Sequence, residues 1–128
     1  MTTDSDATLL TLRDEVRRFV DERDWQSFHS PKNLSMSLMV EVAELMEHFQ
    51  WLTQDESRTI DAEKKTAVGE EMSDVFCYLM AMANELEIDL AASFTRKMEL
   101  NRKKYPVEQY RGRYGDDDQR PVKHLDSV

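Results

Sequence analysis

Apolar residues recur along this chain three or four positions apart, the spacing of one helical face, in three separate stretches. Leu9, Leu12, Val16, Phe19 and Val20 form the first stripe. They predict a helix over residues 8–22, capped by Asp6 or Thr8. The other two stripes are copies of one pattern. A shift of thirty positions lays Leu38 on Val68, Val42 on Met72, Leu45 on Val75, Phe49 on Leu79 and Leu52 on Met82. These predict a second helix over residues 33–52, with Asn33 as its cap, and a third helical region over residues 57–86. Gly69 marks a bend or a close helix contact within the latter. Asp89 caps a fourth helix that runs to residue 104 and is stopped by Pro106. Residues 23–32 form an aromatic loop closed by Pro31, and residues 53–57 a polar turn.

Three glycines and three prolines in 128 residues leave little turn material for a β architecture. The expectation is an all-α fold: an antiparallel four-helix bundle-like domain over residues 1–111 and a mobile acidic tail over residues 112–128. Phe49 and Phe76 read as core, and Cys77, the one cysteine, as a buried inert thiol. The methionines at 36, 39, 46, 72, 80, 82 and 98 suit a helical hairpin that covers part of its surface with another copy, giving a homo-oligomer. A formal net charge of −9 opposes binding to duplex nucleic acid or an anionic membrane. The polar N-terminus is no signal peptide, and the longest apolar stretch, residues 75–83, is too short to span a bilayer. A cytoplasmic protein is expected.

The repeat carries chemistry as well as hydrophobicity. Glu41 and Glu44 stand one turn apart beside the second stripe, and Glu71 and Asp74 stand in the same setting beside the third. A short connection makes the two helices antiparallel neighbours, and a rough two-fold axis would turn both acidic pairs into one cleft. Four converging carboxylates repel one another and raise their own pKa values unless a cation joins them. Oxygen-only ligation points to Mg²⁺, with Mn²⁺ as the second choice, rather than Zn²⁺. The plainer alternative is a solvated acidic face on a helical interaction module. A di-iron bundle is disfavoured because the place after Asp74 that would answer His48 is Tyr78. On the fourth helix, Lys97, Asn101 and Lys104 or Tyr105 share a face that offers donors to phosphate. Trp25, Trp51 and Tyr78 are candidates for stacking a base, with His29 nearby as a donor.

The two acidic pairs, the loop from Glu22 to Leu34 and the closing segment from Lys97 to Pro106 together resemble the MazG-like all-α nucleoside triphosphate pyrophosphatases, and within them the dCTP pyrophosphatase branch. The resemblance implies a Mg²⁺-dependent enzyme that converts a nucleoside triphosphate and water to the monophosphate and pyrophosphate. It implies dCTP or a modified dCTP as substrate, with dUTP or another triphosphate as the alternative, and a role in cleansing the nucleotide pool. Glu41, Glu44, Glu71 and Asp74 would be the catalytic metal ligands. Lys97, Asn101, Lys104 and Tyr105 would contact triphosphate or sugar, and Trp25, His29, Trp51 and Tyr78 would surround the base. It also implies a dimer or a homotetramer whose sites draw on neighbouring subunits.

Overall fold

The computed structural model describes residues 2–124, and these contain helices and no strand. The helices are α1 (Leu9–Asp21), α2 (Pro31–Glu47), α3 (Gln54–Arg58), α4 (Ala62–Glu85), α5 (Leu90–Lys104) and α6 (Val107–Tyr110), with one 3₁₀ turn at Gln26–Phe28. The chain forms two compact units, Met1–Ile88 and Asp89–Val128. No helix among the described residues is long and apolar enough to cross a membrane.

In the first unit α4 is the central rod, with α2 packed along it and α1 beside it. Both neighbours run antiparallel to α4. Glu71 lies near His48 while Asp74 acts on Glu41, and Arg13 near the start of α1 reaches Asn84 near the end of α4. The thirty-residue repeat survives in the burial pattern at four of its five pairs, the exception being half-buried Phe49 against exposed Leu79. Leu38 and Val68, Leu45 and Val75, and Leu52 and Met82 are each half-buried, whereas Val42 and Met72 are both exposed. The fully buried apolar set is small: Leu34, Met80, Ala81 and Ala83.

Helix boundaries follow the caps. Thr8 starts α1, accepting from the Thr11 N–H while the Thr11 hydroxyl accepts from the Thr8 N–H. Ser30, not Asn33, caps α2. Pro31 fits the first helical position, where no N–H is needed, so the helix begins earlier than expected. Asn33 instead donates its side-chain amide to the Phe28 carbonyl at 3.2 Å and ties the preceding loop to the helix. The second helix stops at Glu47 rather than continuing to residue 52, because the chain tightens into turns closed by Phe49 N–H to Met46 O and Leu52 N–H to Phe49 O. The expected polar turn is the short helix α3, closed by reciprocal bonds between Thr53 and Glu56. Accepting the Thr53 N–H lowers the pKa of Glu56. Asp61 then caps α4, so the third helical region starts later than expected. Gly69 makes no close helix contact; a Cβ there would meet open space.

Both α1 and α4 end in the same reversal. Asp24 and Glu87 take left-handed φ values of 51° and 53°. The next N–H groups, of Trp25 and Ile88, reach back to the carbonyls of Val20 and Ala83. The first reversal turns Trp25 back against α1.

In the second unit Asp89 caps α5, and Tyr105 ends it. The Tyr105 and Tyr110 rings meet edge-on at 5.1 Å. Beyond α6 the chain is held by Lys123 N–H to Arg111 O and by Asp118, which binds Arg120 and the Tyr114 N–H. The Arg120 guanidinium, with these N–H groups, holds the Asp118 carboxyl well below the usual range. Gly112, at φ 81°, has no room for a side chain, since a Cβ would lie 2.7 Å from Lys123 Cγ. Of the residues expected to form a mobile tail, 125–128 lie outside the described residues.

Two expectations about burial are corrected. Phe76 is 39% exposed, because its neighbour Val75 takes the inward position and the next residue is rotated about 100° from it. Cys77 is exposed as well, on the flank of α4 that faces α1.

The α1–α4 contact is pinned by one amide. Asn84 accepts from Arg13 Nε at 2.9 Å and donates to the Arg13 carbonyl at 3.0 Å. Arg13 also donates to the Ile88 carbonyl at 2.8 Å. Replacing Asn84 with Ala is expected to destabilise the protein by about 1–3 kcal/mol, the loss of two partly buried hydrogen bonds. Thermal unfolding followed by circular dichroism measures it, and an unchanged melting temperature would mean that the pair does not hold α1.

Candidate functional site

The acidic flanks of α2 and α4 meet. Ligand oxygens of Glu41, Glu44 and Glu71 lie within 4.8 Å of one another. Asp74, one turn beyond Glu71, acts on Glu41 through its charge. The Glu41 carboxyl is pushed above its ordinary pKa, first by partial desolvation, then by its hydrogen bond to Glu44 and that residue's charge, and then by the charges of Asp74 and Glu71. Among the described residues no lysine or arginine forms an ion pair with any of the four. His48 Nε2 lies 3.8 Å from Glu71 Oε1, with both side chains one-quarter exposed. The donor set is therefore all-oxygen at its centre, anionic and without an internal cation. It fits a hard divalent ion.

Against this cluster lies an open pocket of about 380 Å³ between α1 and α4. Asp74 lines the pocket, and its charge reaches Glu41 of the cluster although its oxygens are not among the three sets that come together. Val16, Phe19, Val20 and Ala81 form the aliphatic and aromatic floor, and Trp25, His29 and Tyr78 contribute the larger rings. Trp25 meets Phe19 edge-on, with ring centroids 5.7 Å apart and planes at 76°, and tilts toward His29 at 6.2 Å. The Arg23 guanidinium lies over the Phe19 ring, 3.7 Å from its centroid. Cys77 lines the same wall. Partial desolvation and the charge of Asp74 raise its thiol pKa, so the sulfur is poorly reactive although the residue is exposed.

Seven of the twelve residues singled out in the sequence thus sit near one another: Glu41, Glu44 and Glu71 in the cluster, and Asp74, Trp25, His29 and Tyr78 lining the pocket beside it. Trp51 does not line this pocket. It stands in the turn after α2 and is 87% exposed. Lys97, Asn101, Lys104 and Tyr105 belong to the second unit. There Lys97 is exposed, Asn101 is half-buried at the C-terminal half of α5, and the Lys104 ammonium lies 5.2 Å from the centre of the Tyr105 ring. Two residues near the site were not anticipated for it. Glu15 lines the pocket from α1, and His48 reaches Glu71. Glu15 was legible only as the polar neighbour of an inward-facing valine.

An all-helical chain with paired carboxylates on two antiparallel helices and an aromatic pocket at their flank defines a carboxylate-bundle architecture of a particular kind. The MazG-like family matches residues 36–116, and the chain belongs to that family. The dCTP pyrophosphatase 1 of Bos taurus is 40% identical over 110 residues, 84% of this chain and 65% of that protein. That of Homo sapiens is 41% identical over 102 residues, covering 78% and 60%. The chain thus spans slightly under two thirds of the length of these curated relatives. A crystal structure of a pyrophosphatase from Archaeoglobus fulgidus DSM 4304 is 39% identical, with a TM-score of 0.74 over 83% of this chain and 99% of that one.

The electrostatics of the cluster make a stability prediction. A carboxyl with a folded pKa above its unfolded one takes up a proton on folding. Its favourable contribution is complete below the unfolded pKa and is lost as the pH rises through the folded pKa. In the metal-free protein Glu41→Gln is therefore expected to be stabilising at pH 7, by about 0.2–0.5 kcal/mol, the cost of one like-charge pair a helical turn apart. The gain should shrink as the pH falls into the carboxylate range, where Glu41 is protonated. Melting temperatures of both proteins in chelator across that range decide it. A gain that grows on acidification would reverse the assignment.

Proposed function

We propose that this chain is a Mg²⁺-dependent nucleoside triphosphate pyrophosphohydrolase, acting on dCTP or a modified dCTP in the cytoplasm and so cleansing the nucleotide pool. The observation that carries the reading is an uncompensated cluster of Glu41, Glu44 and Glu71 beside an aromatic pocket lined by Asp74, whose charge acts on Glu41. A triphosphate needs a cation-holding site beside a flat apolar one, at the distance between its phosphates and its base. Family membership and the names of the relatives above support the same reaction. A dUTP or other nucleotide substrate is the alternative within this chemistry.

Glu41, Glu44, Glu71 and Asp74 would hold Mg²⁺, or Mn²⁺, as oxygen donors. When bound, the metal supplies positive charge against the phosphates and acidifies an attacking water. The water oxygen bonds to the α-phosphorus as the α–β bridging bond breaks, and the electron pair of that bond leaves with pyrophosphate. One of Glu41, Glu44 and Glu71 orients the water and takes its proton. Trp25 and Tyr78 flank the base and exclude solvent, with His29 at the edge. The α5 face with Lys97, Asn101, Lys104 and Tyr105 supplies donors and positive charge suited to the triphosphate and sugar.

The same reading assigns the catalytic domain to residues 1–111, as a four-helix bundle-like fold, and residues 112–128 to a tail. It includes a homo-oligomer, a dimer or a tetramer. Support comes from the exposed apolar side chains of α2 and α4: Met36, Met39, Val40, Met46 and Met72 are each more than half exposed. Trp51 would then act across an interface, completing a site in a neighbouring copy.

With Mg²⁺ and dCTP, the expected first product is pyrophosphate; orthophosphate as the first product would rule out cleavage between the α and β phosphates. Glu71→Gln is expected to abolish turnover while keeping its helical circular dichroism, and near-normal activity would contradict the metal assignment. Mg²⁺ should raise the melting temperature of the unmodified chain and dCTP should raise it further.

A further inference from the structure

The pocket beside the carboxylate cluster has an ionic character that its apolar floor conceals. Two charged side chains line it, Glu15 and Asp74; both are carboxylates, and no lysine or arginine joins them. Asp74 acts on Glu41 through its charge and is assigned to the metal ligands in the functional reading above. Glu15 remains as an anionic acceptor at the rim. It is held by Arg18 at 3.1 Å, one turn along α1, with side chains 65% and 71% exposed for the arginine and the glutamate. Such an exposed pair contributes little, so Glu15 can exchange its partner at small cost.

An anionic wall selects the edge of a ring that carries hydrogen. Cytosine presents an exocyclic amine where uracil and thymine present a carbonyl, and a carboxylate accepts from the first and repels the second. His29 and Tyr78 on the same pocket can each donate or accept, so they do not separate the two bases. We propose that Glu15 is a specificity-determining residue, whose carboxylate accepts the exocyclic amine of a cytosine-type base and rejects the carbonyl edge of uracil. This deepens the functional reading above and rests on its assignment of the pocket to the base.

The test is the ratio of kcat/KM for dCTP to that for dUTP, from pyrophosphate release with Mg²⁺, in the unmodified chain and in Glu15→Ala, Glu15→Gln and Arg18→Ala. The unmodified chain should favour dCTP. Glu15→Ala should lower the ratio by about 10- to 100-fold, the discrimination expected of one base-edge contact. Glu15→Gln should lower it too, because its amide can donate to the uracil carbonyl. Arg18→Ala should leave the ratio in place, since it removes only the resting partner. Glu15 is exposed and Gln matches its shape, so melting temperatures close to the unmodified value are expected and separate specificity from folding. A preference for dCTP that persists in both Glu15 variants would overturn the proposal and leave the pyrophosphohydrolase reading standing, as would an unmodified chain that cleaves dCTP and dUTP equally. Pyrophosphate release from neither nucleotide would overturn the functional reading and this proposal with it.

Discussion

Everything near the site depends on the α2–α4 seam bringing like charges together. The two stripes pack because burying them removes apolar surface from water, and that gain does not distinguish one flank from the other. The carboxylates ride on the same rods and are carried into range whether or not they attract. The elevated pKa of Glu41 records the cost. A fold shaped for stability alone would place a lysine opposite one of the four, as an ordinary helical surface does. None is there among the described residues, so no lysine or arginine of the chain offsets the repulsion. This is the pattern of a site where function has been favoured over stability.

The seam also explains why so much could be read from the chain. A thirty-residue repeat carries period, flank and charge together, so the pairing of α2 with α4 and the meeting of their acids were legible at once. The caps at Thr8, Asp61 and Asp89 follow local rules that tertiary packing does not override. What failed was finer than one residue of helical rotation. Phe76 and Cys77 lie between the half-buried Val75 and Tyr78, and a turn of about 100° per residue carries them off that face. Asn33 failed differently. Asn and Ser are both good caps, and Pro31 settled the choice in favour of the residue immediately before it.

Burial along α2 and α4 bears on assembly. The methionines expected to lie against another copy are largely exposed, and α2 and α4 hold few buried residues. Met36, Met39 and Met46 lie along one helix with Met72 on its neighbour, all of them flexible and apolar. A single copy leaves them in water. The sequence pattern of a two-sided helix, apolar toward α4 and apolar again away from it, reads as one wide stripe and cannot say which side belongs to the chain's own core.

The aromatic pocket shows how a local backbone constraint reaches the site. Asp24 takes a left-handed conformation that aspartate tolerates better than most residues. The reversal it allows lets the Trp25 N–H close onto Val20 and sets the indole against Phe19, facing α4. Pro31 and the Asn33 amide then fix where the loop rejoins α2. The pocket wall is therefore set by the end of one helix and the start of the next, while the acidic cluster is set by the seam between helices. The two adjoin at Asp74, which lies one turn along α4 from Glu71 and lines the pocket while its charge acts on Glu41. Glu71, Asp74 and Tyr78 all ride on α4, so a change in the packing of that rod would shift the carboxylates and part of the pocket wall together.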